Sequence, residues 1–341
     1  MCRRLLAGLI SASMLVSTGN VQPAELPATA ALPDFASYIV ARADRGGLTS
    51  ITLDQARDLL KDYDVVFVGE FHDHIANHLA ELGILRALHQ RVPMLALSME
   101  QFERDRQSRV DDYLAGKIGE ETLTKDLGWK NYEEAYRPLV EYAKDNRLPV
   151  IAANAPLAIV RCVAREGIAY LNGLPAAERG LVADQIHIAD GPYKQKFVRF
   201  SGDDAAHGGS DTPDGKAKQR MEKNFAAQMT RDDTMADSIA KFLQAHADFH
   251  VLHVTGAFHV ADRLGTVESL KRRSPHLKVA LVMPVQTSAE SPMASSDDAS
   301  QADLVILIRR EPEPYITDTE RKAAEATEER SFQAAKSTSC R

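Results

Sequence analysis

Cysteine is scarce: Cys2, Cys162 and Cys340 are the only three in 341 residues. That excludes a disulfide-stapled scaffold and any metal site built from thiolates alone. Positive charge is in deficit, with 41 Lys and Arg against 48 Asp and Glu and a formal net charge of −7. A chain that neutralised phosphates would need a basic face, so nucleic acid is excluded as the main partner. Long apolar runs are missing too, which excludes a polytopic membrane protein. What remains is ordinary for a soluble globular chain: 44% hydrophobic and 26% charged residues. The length allows one large α/β domain with extensions, or two domains. No internal repeat stands out.

The two ends read as peripheral. Arg3 and Arg4 precede the short apolar run from Leu5 to Val16, with small residues Ser17, Thr18, Gly19 and Ala24 behind it. A basic start, a brief apolar stretch and small residues describe a secretory signal peptide over 1–24, with export to the periplasm or cell envelope as its consequence. Its removal leaves a net charge of about −9. Cys2 lies before the apolar run rather than after it, so no lipidation is expected, although membrane association stays open. Cys162 and Cys340 then remain; they can pair in an oxidising compartment, and the expectation is one core thiol and one loose one. The stretch 286–301 reads as a loop, and 317–341, with Phe332 its only large apolar residue, as a disordered or weakly helical tail. The folded part is therefore expected over 32–316.

Six short β-branched or apolar runs cross the middle: Val65–Val68, Met94–Leu97, Val150–Ala152, Val251–Val254, Val279–Val282 and Leu304–Ile308. They are apolar at successive positions, as strands buried on both faces are. Helical stripes lie between them, such as Ile75, Leu79, Leu82, Leu85 and Leu88, or Phe225, Met229, Met235, Ile239 and Phe242. The alternation predicts an α/β fold, a mostly parallel sheet flanked by helices. The region from Ala155 to Ala247 has no clear strand and is expected to be a helical insertion, broken at 201–216 by a flexible loop or lid.

In such sheets ligands bind beyond the carboxyl ends of the strands. Four predicted strands deliver polar groups there. The first runs into Gly69-Glu70-Phe71-His72-Asp73-His74, the second ends at Met99-Glu100, the third at Ala153-Asn154 and the fourth at Thr255-Gly256-Ala257-Phe258-His259. Glu70, Glu100, His72 and His259 could hold one divalent metal ion with water in the open position, or one Glu and one His could serve as general base and acid. Each alone is ordinary loop chemistry; four together point to a site. His74 and His78 stand at i and i+4, which suits a metal face but reads better as an exposed helix start. His250 and His253 read as structural, and His207 as a solvent-exposed loop residue. Gln228 and Asp232 fall close to an apolar stripe, so they either line the pocket or tie the helix to a backbone turn. Trp129, Tyr132, Tyr136 and Tyr142 have core-like spacing, yet a Tyr oxygen can also ligate ferric haem.

These stretches carry a family likeness. Val66-Phe67-Val68-Gly69-Glu70-Phe71-His72-Asp73, Ser98 to Asp105, Leu148 to Pro156, Gln228 to Ala236, and Gly256-Ala257-Phe258-His259-Val260 resemble, in this order, the ChaN-type haem-uptake proteins. The likeness covers about 63–285. It implies an exported bacterial protein that binds haem during iron acquisition, within a superfamily that includes Tiki metalloproteases, TraB proteins and erythromycin esterases. It implies catalytic or metal-binding roles for Glu70, His72, Glu100 and His259. Tyr136, in Tyr136-Arg137-Pro138-Leu139, is the implied haem-iron ligand with Tyr193 in reserve, and Asn154, Gln228 and Asp232 are further cofactor contacts. A homodimer sharing the haem is a further expectation. The alternative function is a metal-dependent hydrolase, peptidase or esterase, using the Glu and His cluster.

Overall fold

A computed structural model describes residues 32–44, 47–125, 127–129, 131–205, 215–288, 302–335 and Cys340. The signal peptide, Cys2, His207 and most of the loops expected at 201–216 and 286–301 lie outside these residues.

One eight-stranded sheet organises the chain. Its strands are β1 (Tyr38–Asp44), β2 (Gly47–Ile51), β3 (Val65–Glu70), β4 (Leu95–Glu103), β5 (Val150–Asn154), β6 (His250–Gly256), β7 (Val279–Thr287) and β8 (Leu304–Arg309). Their spatial order is β2-β1-β8-β7-β3-β6-β4-β5. The six strands from β8 to β5 run parallel; β1 pairs antiparallel with both β8 and β2. The six apolar runs thus become the parallel part, and all six residues of β3 and all five of β5 are buried. The antiparallel edge pair was not expected from the sequence. Arg42, Thr49 and Ser50 interrupt its apolar residues, and Gly47 sits at φ 118°, a backbone conformation that favours glycine.

Helices cover both sheet faces. Before β5 come α1 (Leu53–Leu60), α2 (Ile75–His89), α3 (Gln107–Leu114), α4 (Glu120–Thr124), α5 (Tyr132–Ala135) and α6 (Arg137–Asp145). The insertion between β5 and β6 supplies α7 (Leu157–Glu166), α8 (Ala176–Arg179), α9 (Pro192–Ala205) and α10 (Gly215–Ala245). After β6 come α11 (Thr266–Arg273) and α12 (Asp318–Ala335), the latter in the expected tail.

Strand alternation decides which helix meets which residue. Val66 and Val68 of β3, with Leu97 and Met99 of β4, join the core formed with α2 and α6. Val65 and Phe67, with Ala96, join the opposite core, formed with α10 and α11. Extended two residues, the same alternation puts Glu70 under α2 and Glu100 under α10. Of the expected α2 stripe Leu82, Leu85 and Leu88 are buried, but Ile75 and Leu79 are 49% and 39% exposed, and Ala76 and Ala80 are buried in their place. The first turns of α2 therefore meet the sheet through a rotated face, and Asn77 and Glu81 come with it. Cys162, on α7, forms a disulfide with Cys340, Cα to Cα 5.6 Å, which replaces the expected pair of free thiols. Among the described residues no helix is long and apolar enough to cross a membrane.

Candidate functional site

On the α2 side Glu70 ends β3 with its carboxylate wholly buried. Its Oε1 accepts three hydrogen bonds: from His72 Nδ1 at 2.7 Å, Gln101 Nε2 at 2.7 Å and the Tyr136 hydroxyl at 3.0 Å. Its Oε2 faces His78 Nδ1 at 3.3 Å, and that nitrogen lies 3.2 Å from Glu81 Oε2. Burial opposes the charge on Glu70, but the neighbouring His72 and His78 outweigh it and bring its pKa down to about 2. Burial likewise opposes a charge on His78, yet Glu70 and Glu81 raise it to about 10. Glu81 is pushed well above the carboxylate range by burial and by the neighbouring Glu70 charge.

On the α10 side Glu100 is held by Arg231 at 2.5 Å, the Thr255 hydroxyl at 2.6 Å and the Gly256 amide at 2.7 Å. Burial opposes its charge, and His259 and Arg231 more than compensate, lowering its pKa. His259 lies with Nδ1 2.7 Å from Asp232 Oδ1 and Nε2 3.5 Å from Glu100 Oε1. Asp232 also accepts from the Thr266 hydroxyl at 2.8 Å and the Tyr193 hydroxyl at 2.7 Å, and Gln228 Nε2 donates to Tyr193 at 3.0 Å. Gln228 and Asp232 thus both bond the side chains of Tyr193 and His259.

His72 joins the two sides. Its ring crosses Gly256, where an added Cβ would stand 2.8 Å from Nε2 and 3.6 Å from Glu100 Oε2. Burial works against the imidazolium, while the bond to Glu70 and the charge of Glu100 win and raise its pKa. Trp129 meets the ring edge-on at 4.9 Å, and the His72 side chain is 37% exposed. Beyond His259, Phe258 packs against Phe200, which is 61% exposed, and Lys196 lies over the Phe258 ring.

Several expectations change. Glu70, His72, Glu100 and His259 share one sheet edge but do not close around one point. Among the described residues the carboxylate and imidazole atoms that do converge are those of Glu70, His78 and Glu81, all within 4.8 Å of one another. Tyr136 and Tyr193 are buried with their hydroxyls donated to carboxylates. Burial, aided by those carboxylates, raises both phenols. Asn154 ties β4 to β5: its Nδ2 donates to the Glu100 carbonyl at 3.1 Å and its Oδ1 accepts from the Ala155 amide at 2.9 Å. His74 and His78 are buried, not exposed. Sequence reading passed over Gln101, Glu81, Asn77 and Arg231. The signal for Glu81 is its spacing: His74, His78, Glu81, Leu85 and Leu88 form one helical stripe whose first turns are polar.

The parallel α/β sheet thus gathers carboxylates and imidazoles at its carboxyl edge, between two helical layers. The profile of the family described as haem-binding uptake, Tiki superfamily, ChaN matches residues 57–270, and the chain belongs to that family. The solved structure of ChaN of Campylobacter jejuni, with cofacially bound haem, is 16% identical at a TM-score of 0.59, covering 80% of this chain and 97% of that one. This is a likeness of fold. An erythromycin esterase mutant in its open conformation is 12% identical at a TM-score of 0.42, covering 85% and 87%. The protein RETICULATA-RELATED 5, chloroplastic, of Arabidopsis thaliana is 28% identical over 212 residues, 58% of this chain. The chain spans about a quarter of that protein's length, 27%.

Proposed function

We propose that this is an exported haem-binding protein of bacterial iron acquisition, with the porphyrin seated at the carboxyl ends of β3, β4 and β6. The observation that carries this reading is the orientation of His72. Its Nδ1 is taken by Glu70 and its Nε2 lies over Gly256, a cradle that a Cβ would fill. A histidine whose second nitrogen is fixed by a carboxylate is the usual form of an axial ligand. Trp129 beside His72, and Phe258 with the exposed Phe200, would supply aromatic surface for a flat apolar ligand. Haem would supply ferric iron, and His72, held in one tautomer by Glu70, would be the residue this chain presents to it. The Cys162–Cys340 disulfide suits an oxidising compartment and supports the export reading.

Haem titration of the purified protein, followed at the Soret band, tests this. A saturable band that His72→Ala shifts or weakens is expected. No Soret change at stoichiometric haem would remove the proposal.

One observation favours a second reading, hydrolysis. Asp232 orients His259 so that Nε2 faces Glu100, an arrangement suited to general-base chemistry. Here turnover of an ester or peptide would be lost in His259→Gln while the Soret titration stays unchanged.

A further inference from the structure

One nitrogen and two carboxylate oxygens, from His78, Glu70 and Glu81, meet under α2. His78 Nε2 is 2.9 Å from the His72 carbonyl oxygen. A carbonyl cannot donate, so Nε2 carries a proton, and Nδ1 is the ring atom turned to the carboxylates. That nitrogen points between two carboxylate oxygens, Glu81 Oε2 at 3.2 Å and Glu70 Oε2 at 3.3 Å. The Glu and His side chains here are sealed: Glu70 and Glu81 have no exposed side-chain surface and His78 has 6%. Glu70 Oε1 takes all three hydrogen bonds from its neighbours, while Oε2 is buried and accepts none among the described residues. Asn77 Nδ2 lies 3.3 Å from the other Glu81 oxygen, Oε1, leaving Oε2 turned inward.

The His78 separations are long for charge-assisted hydrogen bonds. A charge-assisted N–H···O bond is about 2.7–2.9 Å long, and the His72–Glu70 pair beside it has this length, 2.7 Å. The two His78 separations are longer. They match the edge of a coordination tetrahedron, since donors each about 2.0–2.1 Å from one ion stand roughly 3.3 Å apart.

We propose that Glu70 Oε2, His78 Nδ1 and Glu81 Oε2 form a buried site for one divalent first-row transition ion. One imidazole and two carboxylates suit zinc, iron(II) or manganese better than calcium, which prefers more oxygen donors. His72 and Asn77 act from behind: the His72 carbonyl fixes the His78 tautomer, and Asn77 turns Glu81 inward. The site uses the Glu70 oxygen that His72 leaves free, and it stands whether or not haem binds.

Cobalt(II) is the probe, because its visible d–d bands report a protein site independently of activity. Full-length protein stripped with a chelator is titrated with Co²⁺, with bound metal counted by elemental analysis. One equivalent per chain is expected, with the bands lost in Glu81→Gln and retained in His259→Gln. His78→Gln serves as the second variant where Glu81→Gln does not fold, as judged by circular dichroism. Absence of saturable Co²⁺ uptake by the wild type overturns the proposal. So does uptake that survives both Glu81→Gln and His78→Gln, or that disappears in His259→Gln.

Discussion

His72 lies against Gly256: a Cβ at residue 256 would meet its Nε2 at 2.8 Å and its Cε1 at 3.0 Å. Gly256 has φ −51°, an ordinary value for any residue, so its glycine serves proximity and not backbone freedom. Gly256→Ala should therefore fold, at a cost of about 1–3 kcal/mol for the displaced ring. Under the haem reading it should weaken the Soret titration at least tenfold. A titration identical to wild type, in a folded variant, would show that the ring position over β6 does not matter to binding.

Tyr136 and His72 both bond Glu70 Oε1, but only His72 offers a second ring atom to the cleft. Tyr136→Phe removes one of the three hydrogen bonds on that oxygen. The expected result is a stability loss of about 1 kcal/mol in denaturant unfolding, with the Soret band kept. A band abolished by Tyr136→Phe and untouched by His72→Ala would reverse the assignment and return the tyrosine to the iron.

The parallel core was legible because its strands are apolar at successive positions, as Val65 to Val68 are, and that pattern needs no partner to be read. The edge strands β1 and β2 were hidden because half-buried segments mix Arg42 and Thr49 with apolar residues. Glu70, His72, Glu100 and His259 were placed at the right sheet edge by their position after each strand. Which face each takes was not read, since it depends on the strand alternation that sends Glu70 under α2 and Glu100 under α10. Tyr136 was recognised as near the site, but its role turned on burial, which depends on how α5 and α6 pack over β3. The Cys162–Cys340 bond joins residues 178 apart, and no local pattern announces so long a loop.

That long loop makes the disulfide a test of what the tail contributes. A cross-link restricts the unfolded chain more as the loop it closes grows, and removal of a native one typically costs about 2–5 kcal/mol. Cys340→Ser should lower Tm by several degrees, and a reductant should lower the wild-type Tm by a similar amount. Equal melting temperatures with and without reductant would show that the bond constrains nothing beyond α12 itself.

His253 gives the acid limb of stability a specific source. It lies in β6, fully buried, with Nδ1 2.8 Å from the Ser98 hydroxyl and its ring edge-on to Phe67 at 5.4 Å. Nε2 has no hydrogen-bond partner among the described residues. Burial disfavours the imidazolium and lowers the pKa to about 3 despite the opposing charge of Glu100. In the unfolded chain the same ring takes up a proton near pH 6.5. Between these two values the unfolded state binds more protons, so stability is complete above about pH 6.5 and falls as pH drops toward 3. The slope due to this one residue is about 1.4 kcal/mol per pH unit. Denaturant unfolding of the wild type and of His253→Gln between pH 7 and pH 4.5 should give curves that converge on acidification, because only the wild type has this proton to take up. Curves that stay parallel across that range would mean that His253 is not the buried neutral base its surroundings require.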